Sequence, residues 1–282
     1  MLTALRDSSA TDTRDRFLTT KEYKRFAEFC GACRRDRYIG LCYGLPGVGK
    51  TVSARHYARW HWFDDYTQRS WRSRLKEKAV LPDEALNCFA VFYTAEVAGN
   101  AKRLEQQLTN VMDGFDDAIE DALDARSTEE RTLSDFQQHT ALVIVDEADR
   151  LKLQSLEQLR DIFDRMKVGL VLLGMPGMEK RLSRYPQLYS RVGFVHEFKP
   201  LSQEEMLFIL EYKWSELGLN LKIDDFMDFE AMSAVARITQ GNFRLLQRLI
   251  AQIQRLLSVN DLKIVTKELV EVARESLVIG VA

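Results

Sequence analysis

The sequence predicts an α/β fold, a parallel β-sheet covered by helices, followed by a smaller all-helical domain. Three observations predict it. Short apolar runs alternate with helix-length amphipathic segments up to about residue 200. A glycine-rich turn, Gly44-Leu45-Pro46-Gly47-Val48-Gly49-Lys50-Thr51, joins the first of those runs to a helical pattern. After Pro200 the helical patterns continue with no convincing strand between them. Strand–helix alternation of this kind is the signature of helices packed on a mostly parallel sheet.

Taken in order, residues 1–19 read as a polar tail and residues 20–35 as a first helix. The apolar runs are residues 38–43, 88–93, 141–145, 168–173 and 194–198. The first four lack polar alternation, as strands covered on both faces do. A helix opens near Lys50, and residues 154–166 place Leu156, Leu159, Ile162, Phe163 and Met166 on one helical face. The boundary falls near residues 199–202. Beyond it, residues 202–216, 226–239, 242–257 and 266–276 read as helices, the third marked by Leu245, Leu246, Leu249, Ile250, Ile253 and Leu256. The expected division is a tail at 1–19, an α/β domain at 20–200 and a helical domain at 201–282.

Composition narrows the class. A chain of 282 residues suits two domains, and at 46% hydrophobic and 29% charged it can bury a core, which excludes wholesale disorder. The charge sum, 40 − 42 = −2, excludes a histone-like polycation but leaves local patches open. Of four cysteines, Cys30 and Cys33 form a CxxC. A zinc half-site or a redox pair are the functional readings; with Cys42 and Cys88 far from a second CxxC, reduced thiols are expected instead. Arg6 and Asp7 precede any apolar run, and stretches such as 168–175 fall well short of a bilayer span, so a cytoplasmic protein without a signal peptide or membrane segment is expected.

Charge is distributed unevenly. Residues 59–78 carry six basic and three acidic side chains among Trp60, Trp62, Phe63, Tyr66 and Trp71. Such a segment either contacts nucleic acid or packs its rings on the domain. Residues 111–135 carry nine acidic and two basic side chains and read as a solvated helical face that would repel DNA.

The turn at 44–51 satisfies GxxxxGK[ST] and lies between an apolar strand and a helix, the context that the mechanism of this motif requires. Gly44, Pro46, Gly47, Val48 and Gly49 let the backbone close around phosphate, so that successive N–H groups and the helix N-terminus face an anion. In this pattern Lys50 reaches the β- and γ-phosphates of ATP, and Thr51 offers its hydroxyl to Mg²⁺. The partner motif is Asp146-Glu147-Ala148-Asp149, after the apolar run 141–145. Asp146 suits a magnesium ligand acting through water, and Glu147 suits a general base for attack on the γ-phosphate. Asp149 alone also suits an N-cap for the following helix.

With both motifs, the chain resembles an AAA+ ATPase, and more narrowly the TnsC/TniB group of transposition regulators, related to MuB and IstB. The resemblance runs from about residue 20 to the end, and is most specific in DEADRLK at 146–152 and GMPGMEKRLSRYPQLYSRVGF at 174–194. It implies a five-stranded parallel sheet of order 5-1-4-3-2 followed by a helical lid. It implies ATP-dependent rings (hexamer or heptamer) or helical filaments on double-stranded DNA, bound without sequence preference. It also implies partners that are a TnsB-like transposase and a TniQ- or TnsD-like target selector, with ATP hydrolysis controlling disassembly. Arg191 matches the arginine-finger position, with Arg184 second, and Arg244 in Gly241-Asn242-Phe243-Arg244 matches the sensor-2 element. Met175 departs from the family, which often carries a polar residue there, and this puts the hydrolysis rate in question. DNA contact is implied for residues 94–103, with Asn100, Lys102 and Arg103 the candidates and Arg150 and Lys152 weaker ones. The alternatives are an AAA+ ATPase of a secretion or signalling system acting on proteins without DNA, and a metabolic P-loop kinase. Glu147 beside Asp146, Arg191 and the all-helical C-terminal part count against the kinase.

Overall fold

The computed structural model describes residues 17–127, 137–216 and 226–277. Most of the expected tail, residues 1–16, and the end of the acidic stretch, residues 128–135, lie outside them. The chain divides into two compact units that are not contiguous in sequence. One comprises Arg25–Gly44 and Lys50–Glu197; the other comprises Met1–Lys24, Leu45–Gly49 and Phe198–Ala282.

The first unit is built on five parallel strands: β1 (Ile39–Tyr43), β2 (Ala90–Thr94), β3 (Leu142–Asp146), β4 (Gly169–Gly174) and β5 (Val192–Glu197). Their order, β2-β3-β4-β1-β5, is the one the resemblance implies, read from the other edge. Every residue of β3 and β4 is buried, which explains their unbroken apolar runs. At the edge, β5 alternates half-buried and exposed residues, so only one face meets the core. Helix Lys21–Asp36 lays Phe29 against the His196 ring, centroids 5.4 Å apart, and buries Cys30 and Cys33 completely.

Helix Ala101–Asp124 buries Leu104, Leu108, Met112, Phe115 and Ile119. Against it pack the aromatics of the Trp-rich segment, with Phe63 4.6 Å and Trp60 6.5 Å from the Phe115 ring. The segment therefore uses Trp60, Phe63 and Tyr66 as core, while Trp71 stays exposed. The acidic stretch differs from its expected role as a solvated face. Asp121 accepts from the Tyr66 hydroxyl at 2.7 Å and the Ala79 N–H at 2.9 Å, and Asp117 pairs with the buried Arg74 at 3.0 Å. Asp116 accepts from both the N–H and the hydroxyl of Thr140 at 2.9 Å, while burial pushes its carboxyl above the usual range. These carboxylates satisfy donors contributed by segments remote in sequence, a use that helical periodicity alone does not reveal.

The second unit contains helices Gln203–Glu216, Phe226–Thr239, Phe243–Val259 and Lys267–Glu275. Leu210, Trp214, Val235, Leu246, Leu249, Ile253 and Val270 form its core. Ser202 and Glu205 start the first helix with reciprocal bonds, Ser202 N–H to the Glu205 carboxylate at 2.9 Å and Glu205 N–H to Ser202 Oγ at 3.2 Å. The buried Glu22 accepts from the Lys199 N–H at 3.2 Å, tying the start of the chain to this unit. Among the described residues no helix is long and apolar enough to cross a membrane.

Candidate nucleotide-binding site

In the sheet unit, β1 ends at Tyr43 and helix Lys50–Tyr57 begins at the lysine of the motif. The Lys50 ammonium donates to the Gly44 carbonyl at 2.6 Å. Burial pulls Lys50 below the usual lysine range, opposed by the nearby carboxylates of Asp146, Glu147 and Asp149. The Thr51 hydroxyl donates to Asp146 Oδ2 at 2.7 Å, although 95 residues separate them in sequence. Asp146 stands at the C-terminal end of β3, 4% exposed, and its other oxygen accepts from the Glu147 N–H at 2.9 Å. Strand register therefore carries the acidic motif to the phosphate motif.

Glu147 occupies the left-handed region, φ 54, which a non-glycine residue adopts only at a cost. Its carboxylate lies 3.6 Å from Arg150 Nη2, and Arg150 Nη1 donates to the Ala95 carbonyl at 3.2 Å. The Ala95 N–H in turn donates to the Asp146 carbonyl at 2.9 Å. Arg150, weighed from sequence as a DNA contact, is thus engaged with Glu147 and the exit of β2. Asp149 is not an N-cap: helix Leu153–Met166 has Lys152 at that position, with no side-chain cap. Instead, the Asp149 carbonyl accepts from Arg181 at 2.5 Å, and the Asp149 carboxylate lies over Gly174, at the end of β4. Met175 supplies a backbone carbonyl to the next turn, accepting from the Met178 N–H at 3.2 Å.

In the helical unit, Leu45–Gly49 forms a turn in which Gly47 (φ 82) and Gly49 (φ 113) take backbone angles that L side chains rarely adopt. Asn242 Nδ2 donates to the Pro46 carbonyl and the Arg244 N–H to the Gly47 carbonyl, both at 2.9 Å. The Arg244 side chain is exposed.

Among the described residues, the remaining sequence-predicted residues form no hydrogen bond or ion pair with these motifs. Arg191 Nε pairs with Asp164 at 2.7 Å, and its Nη1 donates to the Gln187 carbonyl at 2.6 Å. Arg184 is exposed and makes no ion pair among the described residues. Asn100 caps helix Ala101–Asp124, its Oδ1 accepting from the Arg103 N–H at 2.9 Å. Arg103 forms a two-pronged pair with Glu96, at 2.8 and 2.9 Å. Lys102 is exposed and carries no ion pair among the described residues. Sequence reading missed Glu96, Arg150 as the partner of Glu147, and Asn242 as a partner of the glycine turn. The signal for Asn242 is its cap position before an apolar helical stripe.

A family model described as "AAA domain" matches residues 33–182. A Staphylococcus aureus protein named "Potential ATP-binding protein" is 47% identical over 268 residues, 94% of this chain and 97% of that protein. The "ATP-dependent target DNA activator B" of Escherichia phage Mu is 26% identical over 185 residues, 63% of this chain; the match spans 50% of the Mu protein. Among solved structures, the RuvB Holliday junction branch migration motor of Thermotoga maritima has a TM-score of 0.56 at 18% identity, covering 92% of this chain and 70% of that one. The ADP form of Aeropyrum pernix ORC2 has a TM-score of 0.61 at 15% identity, covering 94% and 71%.

Proposed function

Because the chain belongs to the AAA domain family, we propose that it is an ATPase that assembles on double-stranded DNA and regulates transposition, linking a target selector to a transposase. The observation that carries the nucleotide half is the Thr51–Asp146 hydrogen bond beside Lys50, which joins the phosphate and acidic motifs at one point. Thr51 and Asp146 offer two hard oxygens, the donor chemistry that suits Mg²⁺ when phosphate oxygens and water complete its shell. When bound, that ion would neutralise charge on the β- and γ-phosphates. Lys50 contributes a second positive charge, and releases the Gly44 carbonyl to reach a phosphate. Glu147 accepts a proton from the attacking water, its carboxylate oriented by Arg150. Arg191 or Arg184 of a neighbouring copy supplies a guanidinium to the γ-phosphate, and Arg244 does so from its own chain.

The DNA half is supported by the likeness to the Mu protein and by the exposed Lys102. Lys102 and Arg103 would contact phosphates without reading bases, which gives affinity independent of sequence. A second reading, an ATPase acting on protein partners, is favoured by the neutralisation of Arg103 by Glu96. Negative-stain imaging and gel shift with long duplex DNA, with and without ATP, separate the two. The proposal expects ATP-dependent rings or filaments on duplex, absent for Lys50→Ala. ATP binding and hydrolysis with no DNA association at any salt concentration would leave the protein-partner reading standing.

A further inference from the structure

Three contacts at the start of helix Phe243–Val259 converge on the glycine turn, all within the helical unit. The Asn242 side-chain amide donates to the Pro46 carbonyl at 2.9 Å. The next peptide along the turn is held by a backbone donor, the Arg244 N–H bonding the Gly47 carbonyl at 2.9 Å. At Gly47 a Cβ would lie 2.5 Å from Asn242 Oδ1 and 3.1 Å from Arg244 Cβ, so the helix start occupies the space that a side chain would need. Two consecutive carbonyls of the turn are thus taken by one helix terminus.

Peptide planarity turns this into a statement about donors. In a trans peptide the N–H points opposite to the C=O, and the described chain has no cis bond. Fixing the Pro46 carbonyl therefore fixes the Gly47 N–H on the other side of the chain, and fixing the Gly47 carbonyl does the same for the Val48 N–H. Both belong to the stretch whose N–H groups face phosphate in this motif. We infer that Asn242 is a positioning residue for nucleotide binding: with the Arg244 backbone, it holds two peptide planes of the turn so that the Gly47 and Val48 N–H groups are aimed at a polyphosphate before it arrives. The inference rests on the nucleotide-site reading above and assigns Asn242 a role that touches no nucleotide atom. Preorganised donors raise affinity because the turn need not be ordered on binding. Helix Phe243–Val259 is anchored by Leu246, Leu249 and Ile253, so loosening that core should weaken phosphate binding at a distance.

Asn242 has two roles that chemistry can separate. Its Oδ1 caps the helix by accepting from the Leu245 N–H at 3.1 Å, while its Nδ2 holds Pro46. Serine retains a cap oxygen but has no amide to reach the turn. The test is ATP affinity by calorimetry on the full chain, alongside thermal melting, for Asn242→Ser and Lys50→Ala. Expected is a melting temperature unchanged in Asn242→Ser with ATP and ADP dissociation constants about five- to tenfold higher, as for the loss of one net hydrogen bond. If serine lowers the melting temperature, Asn242→Thr, which also caps, gives the same comparison. ATP affinity within twofold of wild type in the stably folded variant, with binding lost in Lys50→Ala, overturns the inference alone. Wild-type ATP affinity in Lys50→Ala overturns the nucleotide-site reading, and the inference with it.

Discussion

Arg191 is paired with Asp164 of its own chain, Nε to Oδ1 at 2.7 Å, and Asp164 together with the Gln187 carbonyl occupies two arms of the guanidinium. The carboxylate hydrogen bond makes Arg191 still harder to deprotonate. A residue held in this way acts on a neighbouring γ-phosphate only after leaving Asp164. Asp164→Ala is therefore expected to raise ATP turnover severalfold under conditions that assemble the protein, whereas Arg191→Ala lowers it at least tenfold with ATP affinity retained. Steady-state ATPase assays across a protein concentration series check both. Equal, small losses in the two variants would make the pair structural and move the finger to Arg184.

Glu147→Gln should keep ATP affinity and reduce turnover by about 100-fold or more, the scale of a lost general base. Glutamine is isosteric with glutamate and as free to take the same backbone angles, so folding should be unaffected. Arg150→Gln should lower turnover by a smaller factor without weakening ATP binding, because among the described residues the Arg150 guanidinium is engaged by the Glu147 carboxylate and the Ala95 carbonyl. Single-turnover hydrolysis with pre-bound ATP measures this. Unchanged single-turnover rates in both variants would exclude the pair from chemistry.

The parts of this molecule that sequence reading reached are those in which chemistry is local in the chain. Strands β3 and β4 are buried throughout, so their apolar runs mark them directly. The turn at 44–51 carries its own strand and helix, and Asp146 follows an apolar strand. The edge strand β5 was harder: it begins at Val192 where the apolar run suggests 194, because Gly193 interrupts the pattern. The roles of the acidic residues at 116, 117 and 121 are not legible in sequence for a different reason. Tyr66, Arg74 and Ala79, the partners of Asp117 and Asp121, lie 42 to 55 residues away in sequence and meet them only on folding. Arg103 and Arg191 look like free cations in sequence, and only the fold shows the carboxylates that neutralise them.

The CxxC motif makes a prediction about reactivity. Burial pushes Cys33 up to about 12 and Cys88 to about 11, and it pushes Cys30 well above the usual thiol range. The thiolate is the reactive form, so a raised pKa and burial both slow attack. At pH 8 a small alkylating reagent should label native protein at the partly exposed Cys88 first, and Cys30, Cys33 and Cys42 only in denaturant. Peptide mass spectrometry over a time course reads this out. Early labelling of Cys30 or Cys33, or stoichiometric zinc in the purified protein, would contradict the structural role.

Gly40 in β1 has no room for a side chain: a Cβ there would lie 2.3 Å from Cys33 Sγ and 2.6 Å from the Phe29 ring. Helix Lys21–Asp36 approaches the sheet closely because of this glycine. Gly40→Ala should destabilise the sheet unit by about 1–3 kcal/mol, the usual cost of overpacking a core. Urea unfolding followed by circular dichroism tests it, and the double variant Gly40→Ala, Cys33→Ala should recover part of the loss. No recovery would mean that Phe29, not Cys33, sets the limit.

For the proposed DNA contact, Glu96 acts in a direction opposite to that of the cations around it. It grips Arg103 with both oxygens and also accepts from Gln107 at 2.6 Å. A DNA phosphate must compete with this carboxylate for Arg103, and the negative charge itself repels the duplex. Glu96→Gln weakens the grip and removes that charge, so duplex affinity should rise severalfold, with a steeper dependence on salt as Arg103 is released to phosphate. Removing the charges of Lys102 and Arg103 together should weaken binding at every sequence and reduce the salt slope by up to about two. Fluorescence anisotropy with two unrelated duplexes over a salt series measures all of these quantities. Affinity unchanged by Glu96→Gln and by the double variant alike would place any DNA surface away from helix Ala101–Asp124, because removing charge within a phosphate-contacting site cannot be silent at low ionic strength.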